Sequence, residues 1–178
     1  MTAFPKDGTA LTLNIYKPYA LFPMSQVLTN KQDKYTYTAL TEIQGYFAPQ
    51  KAFRAFIRKN PGVLFDLLKR IYSGLEGFFG RMESLLLGDA CLRLLTQLVI
   101  HAKRFGQKDQ NRTVFGWHVT QTELASQTGL ARETVARELK KLQDKGLVGY
   151  HGKRLFVTNT AKLEQEFISS NNLPLDKV

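Results

Sequence analysis

The stretch from Thr120 to Lys145 constrains this chain more than any other. It reads T-Q-T-E-L-A-S-Q, then T-G-L-A, then R-E-T-V-A-R-E-L-K-K-L-Q-D-K. Thr120 followed three residues later by Glu123 is a capping box, in which the hydroxyl accepts from the Glu123 N–H and the carboxylate reaches back. A helix therefore starts here. Gly129 supplies the turn into a second helix, and Leu130 offers an apolar plug beneath it, the pattern of a helix-turn-helix.

On the second helix Val135, Leu139 and Leu142 recur at i, i+4 and i+7, a stripe that must be buried. Glu133, Arg137 and Lys140 then face the other way. Arg132 flanks them at the N-terminal end, where a recognition helix first meets base edges in the major groove. Gly146-Leu147-Val148 stops the helix, and Val148 to Thr158 reads as a strand, an H-G-K-R turn and a second strand, Leu155-Phe156-Val157. A helix-turn-helix followed by such a hairpin is a winged helix. The competing interpretation, a small helical packing unit with solvated charges, leaves the agreement of cap, turn, stripe and basic hairpin without a cause.

The run A-R-E-T-V-A-R-E-L-K-K-L, with H-G-K at the following turn, resembles the DNA-binding domain of the cyclic-AMP receptor protein (CRP/FNR) family of bacterial transcription regulators. That family's pattern is close to S-R-E-T-V-x-R. The resemblance implies that Arg132, Glu133 and Arg137 touch base edges. Ala131 stands where the family commonly has Ser, so a helix cap and a phosphate contact are lost. The resemblance covers most of the chain and is specific from about Thr120 to Thr158.

Charge points the same way. The 178 residues carry a formal net charge of +10, the electrostatic footprint of a nucleic-acid binder. From His101 to Thr158 eleven Lys and Arg stand against five Asp and Glu, whereas Pro61 to Ile100 has four of each. The surplus sits with the helix-turn-helix. A second cluster, Lys51, Arg54, Arg58 and Lys59, reads as a solvated helix face. A single cysteine excludes a disulfide framework and a four-thiolate metal or iron-sulfur site within one chain. No apolar run is long enough to span a bilayer, and the expected setting is cytoplasmic.

Residues 1 to 47 read as β, with alternation from Ala10 to Tyr16 and again from Tyr35 to Thr41. Two or three strands do not make an independent sandwich. The resemblance implies that they belong to a sensory β-roll longer than this segment, so the chain is expected to hold part of one. Cyclic-nucleotide pockets of the family hold phosphate with a Gly-Glu pair and an Arg-Ser pair. Here the corresponding stretches are Leu21-Phe22-Pro23-Met24 and Asp33-Lys34-Tyr35, and neither pair is present. Asp33 would repel the ligand, so no cyclic nucleotide and no other cofactor is expected.

Ala48-Pro49 opens a short helix to Lys59, and Asn60-Pro61 starts a long one, with Asn60 as cap and Pro61 at its first position. Along it Leu64, Leu68, Ile71, Leu75, Phe78, Met82 and Leu85 alternate spacings of four and three, a heptad seam suited to a two-stranded coiled coil. The alternative is a helix packed on its own domain. The resemblance favours the seam, since relatives dimerise through this helix. After Gly88 and a cap at Asp89, Ala90 to Phe105 carries a stripe of Cys91, Leu94, Leu95, Leu98, Ala102 and Phe105, on which Cys91 is a small core hydrophobe. Gly106 ends that helix, Gln107 to Arg112 reads as a polar loop, and Thr113 to Val119 as a strand with Trp117 in the core. The tail forms a short helix from Thr160 to Ile168 and is polar and frayed after Ser169.

Together these features predict an α+β chain: a partial β-roll over 1–60, a dimerisation helix over 61–88 and a winged helix-turn-helix over 89–178. Its three histidines, His101, His118 and His151, have no metal-ligand spacing, and no phosphate-loop or dinucleotide fingerprint appears, so an enzyme is not expected. His151 at the wing tip suits phosphate. The function expected is a homodimeric, sequence-specific DNA-binding regulator on a near-palindromic operator. Arg132, Glu133 and Arg137 would read bases, while Thr120, Gln121, Thr122, Thr134, Lys140, Lys153 and Arg154 would hold the DNA backbone. RNA polymerase is the further partner an activator would touch. The rival is a winged-helix module for protein or RNA contacts.

Overall fold

The computed structural model describes residues 1–4, 10–29 and 31–170. The C-terminal tail beyond Ser170, expected to fray, lies outside them. The N-terminal part is less regular than its alternation predicts. Strands β1 (Thr2–Ala3) and β2 (Leu11–Thr12) pair antiparallel, and Thr36 adds a single bridge to Thr2. The rest of Ala10–Tyr16 and Tyr35–Thr41 forms no ladder, because alternation alone makes no strand without a neighbour to receive its hydrogen bonds. Helix α1 (Met24–Thr29), not expected from the sequence, follows a turn.

Helices α2 (Gln50–Lys59) and α3 (Pro61–Leu87) have the expected bounds. Asn60 does not cap α3. Its Nδ2 donates instead to the Phe56 carbonyl 2.7 Å away in the preceding helix, and Pro61, which has no N–H to satisfy, begins α3. On α4 (Ala90–Phe105) the expected cap is present, with Asp89 Oδ1 accepting from the Leu92 N–H at 2.8 Å.

The expected loop after α4 is a hairpin. Strands β3 (Gly106–Asp109) and β4 (Arg112–Phe115) pair directly, and Gln110 takes a φ of 54° in the turn, with Arg112 and Asp109 ion-paired at 2.8 Å beside it. Gly106 permits the helix to pass straight into the strand. A Cβ there would lie 2.3 Å from the Ala102 carbonyl oxygen and from Thr113 Cγ2. β4 also ends earlier than the Val119 predicted.

Helices α5 (Gln121–Thr128) and α6 (Arg132–Asp144) follow, then strands β5 (Val148–His151) and β6 (Arg154–Val157), and helix α7 (Thr160–Ser170). The second sheet runs β3-β4-β6-β5, all antiparallel, so the wing hairpin continues the sheet begun after α4. α4 is the centre of the core. Its Leu94, Leu95, Leu98 and Val99 are fully buried with Leu124 of α5, Val135 of α6, Val157 of β6 and Leu163 of α7. Cys91 is half-buried against this core, and burial raises its thiol pKa, as suits a packing residue. Trp117 packs edge-on against His101 and Phe105, at 5.4 and 5.3 Å between ring centres.

The N-terminal segment reaches this core. Thr12 Oγ1 lies 2.6 Å from Ser126 Oγ on α5, and Arg104 of α4 donates to the Ile15 carbonyl at 3.2 Å. On α3, by contrast, Leu64, Leu68, Ile71, Leu75, Phe78 and Met82 are exposed, and Leu85 is half-exposed. The apolar seam finds no cover among the described residues. No described helix is long and apolar enough to cross a membrane.

Candidate nucleic-acid interface

Local chemistry sets the first helix of the motif. Thr120 Oγ1 accepts from the Glu123 N–H at 3.1 Å and Glu123 Oε2 accepts from the Thr120 N–H at 2.7 Å, the reciprocal cap expected. That locks the start of α5. Gly129 then takes a φ of 64°, a left-handed turn that a side chain would strain. Leu130 packs on the core beneath it.

The α6 N-terminus has no side-chain cap. Ala131 occupies the cap position in extended conformation with nothing to offer the free N–H groups. Val135, Leu139 and Leu142 are buried at 0, 2 and 1 % exposure, and this stripe turns Arg132, Glu133, Arg137 and Lys140 outward, with Thr134 at the edge. Lys140 is ion-paired with Asp144 at 2.8 Å. Both of those side chains are largely exposed, so the pair is weak and Lys140 can exchange it.

Glu138 breaks the polar-face pattern. It is buried, with Oε1 accepting from Lys141 Nζ at 2.9 Å and lying 3.5 Å from Arg137 Nε, while Oε2 has no partner. The Arg137 side chain keeps 66 % of its surface. Glu138 thus gives the root of Arg137 a fixed negative neighbour while its guanidinium stays in solvent.

Between the α5 N-terminus, the α6 N-terminus and the wing lies an open cleft of about 360 Å³. Thr120, Gln121, Thr122, Arg132 and Lys153, all singled out from the sequence, line it. The fold brings these five into one surface. Arg154 is exposed on β6, and His151 on β5, but neither lines the cleft, and Glu133, Arg137, Thr134 and Lys140 continue the surface along α6. Two lining residues, His118 and Tyr150, were missed. Burial is the main reason the Tyr150 hydroxyl pKa is raised, and its hydrogen bond with Gln121 opposes this. Tyr150 thereby joins the wing to the first residue of α5. The sequence signal was present in the Y-H-G-K run, but only the hairpin's return to α5 makes it meaningful.

Comparison with known proteins agrees with this geometry. The profile of the Crp-like helix-turn-helix domain matches residues 91–166. A CRP-like cAMP-activated global transcriptional regulator of Mycobacterium tuberculosis is 25 % identical over 157 residues, covering 88 % of this chain and 70 % of that protein. A global nitrogen regulator of Nostoc is 24 % identical over 162 residues, covering 90 % of this chain and 73 % of its own length. Among solved structures, a CRP/FNR-family transcriptional regulator from Thermus thermophilus superposes with a TM-score of 0.77 over 96 % of this chain and 83 % of that one, at 22 % identity. That likeness is one of fold.

Proposed function

The chain belongs to the CRP/FNR family of DNA-binding transcription regulators, and from that premise we propose how its own residues divide the work. Two copies join through the α3 seam and set their α6 helices in successive major grooves of a near-palindromic operator. The observation that carries this is the α6 surface: one helix presents Arg132, Glu133 and Arg137 outward from a stripe that is wholly buried.

Arg132 and Arg137 offer paired donors to guanine O6 and N7, and Glu133 accepts from a cytosine amino group. Thr120, Gln121, Thr122, Thr134, Lys140, Lys153 and Arg154 contact phosphate and sugar, which sets register and salt dependence. The organisation proposed is a partial sensor segment over 1–60, a dimerisation helix over 61–88 and a reader over 89–178. An RNA polymerase contact belongs to this reading as the partner of an activator.

The reading also holds that this chain does not take cyclic nucleotide, although relatives carry cAMP activation in their names. Asp33 supports it. The Tyr37 hydroxyl donates to one carboxylate oxygen at 2.6 Å and the Tyr35 N–H to the other at 3.0 Å, holding its pKa below the usual value. A carboxylate so fixed in its charged form repels a phosphate. Calorimetric titration with cAMP checks this point, and saturable binding would refute it.

Selection from a random duplex library, followed by titration of the winner against a scrambled duplex in moderate salt, tests the main reading. Enrichment of an inverted repeat is the expected result. Binding without any enriched motif, vanishing as salt rises, would reduce the surface to a phosphate holder.

A further inference from the structure

A pocket away from the α5–α6–wing cleft lies where α3, α4, α5 and the N-terminal segment meet, lined in part by Asn14, Arg81, Gln97, His101, Arg104 and Gln127. Two of these groups are guanidiniums without a counter-ion, Arg81 half-buried and Arg104 at the exposed rim. Among the described residues no carboxylate lies within ion-pair distance of Arg81 or Arg104. Arg104 uses one N–H on the Ile15 carbonyl. Burial depresses both pKa values, and for Arg81 the neighbouring Arg104 adds to it. Two like charges placed together, one of them half-buried, call for an anion.

The third group tells the anion's kind. His101 has no exposed surface, and its Nε2 lies 2.7 Å from Gln127 Oε1 and 3.2 Å from Gln97 Nε2. Burial, with the two arginines adding to it, lowers the ring's pKa to about 4, so it is neutral near pH 7; with the Nε2–H given to Gln127, the shorter of the two contacts, Nδ1 keeps its lone pair. That Nδ1 is buried and has no partner. The missing complement is therefore a group that accepts from guanidiniums and donates one O–H. Hydrogen phosphate has both faculties, whereas sulfate and carboxylates at neutral pH have no proton to give.

We propose that this pocket binds a phosphate group, its P–O–H directed at His101 Nδ1 and its charged oxygens held by Arg81 and Arg104. The enclosed free space is about 10 Å³, room for one oxygen. The remaining oxygens lie at the mouth, where the long arginine side chains can adjust around them. The same chemistry is offered by inorganic phosphate and by a phosphate monoester.

The full chain is titrated with inorganic phosphate, glycerol phosphate and sulfate at constant ionic strength, with calorimetry and the His101 ring resonances as readouts. Saturable phosphate binding that moves the His101 signals, with sulfate weaker, is expected. Arg81→Gln and Arg104→Gln should each weaken it by roughly tenfold or more, as loss of a charge-assisted hydrogen bond implies. Lys153→Ala, which removes charge from the cleft lined by α5, α6 and the wing, should leave it unchanged. Glycerol phosphate binding as tightly as inorganic phosphate would name a monoester as ligand, and its exclusion would name the free ion. Sulfate binding equal to phosphate, His101 resonances that stay fixed in the wild-type chain, or binding lost in Lys153→Ala but kept in both arginine variants would each overturn the proposal. The wild-type resonances decide even if an arginine variant does not fold.

Discussion

His101 Nε2 lies 2.7 Å from Gln127 Oε1, a hydrogen bond between α4 and α5 made by a ring with no exposed surface. Burial chiefly, then Arg104 and Arg81, lower its pKa from 6.5 to about 4 against the opposing effect of Gln127. An unfolded chain takes up this proton near pH 6.5 and the folded chain only near 4, so acid favours unfolding across that window. Above the window the contribution is constant. Urea unfolding at pH 8, 6 and 4.5 should therefore show a loss that His101→Gln reduces by up to roughly 3 kcal/mol at the acid end. Identical pH dependence in the two proteins would mean that His101 titrates normally.

Ala131 leaves the α6 cap empty in a backbone conformation that suits a capping side chain. Ala131→Ser should stabilise the chain by about 1 kcal/mol. Thermal unfolding measures it directly, and a lowered melting temperature would argue that the position is not a cap.

The exposed α3 seam predicts an assembly that depends on it. Leu68→Glu with Leu75→Glu should give a monomer by sedimentation and weaken operator binding by roughly 100-fold, since two half-sites are no longer engaged at once. A variant that remains dimeric would move the interface elsewhere.

Arg137 and Lys153 should fail in different ways. Arg137→Ala is expected to cost about 1 to 3 kcal/mol and to relax one base position, whereas Lys153→Ala weakens all duplexes alike and lowers the salt slope by about 1. The division is wrong if Lys153→Ala alters sequence preference more than Arg137→Ala does.

Glu138 holds a buried oxygen with no partner while its cationic neighbours Lys141 and Arg137 are exposed. An apolar residue of similar reach spares that desolvation. Glu138→Leu should leave urea stability equal or raise it by about 1 kcal/mol, and Glu138→Ala should lower it by leaving a void. A leucine variant less stable than the alanine one would show that the carboxylate stabilises the fold.

What was legible in the sequence was what short-range chemistry decides. Thr120 and Glu123 meet across one helical turn, and Val135, Leu139 and Leu142 share a face whatever lies opposite. Glu138 was not legible, because its burial follows from the docking of α6 on α4, not from its own type. Nor was Tyr150, which meets the α5 N-terminus only when the wing folds back, whereas His118 stands two residues before the Thr120 cap. The polar Gln107–Arg112 run hid a hairpin whose tight turn needs Gln110 at positive φ, a conformation its residue type does not advertise. Asn60 looked like a cap and found a nearer acceptor behind it.

The pairing of Thr12 with Ser126 spans 114 residues. During synthesis the N-terminal segment emerges first, and its partner on α5 only much later. Until then the short β1–β2 pair lacks its contact on α5, so its final docking should come late, once α4, α5 and α6 have closed on one another. The helix-turn-helix and its wing draw their core from elements that follow one another in the chain, whereas the segment that precedes them must wait for a partner made 114 residues later.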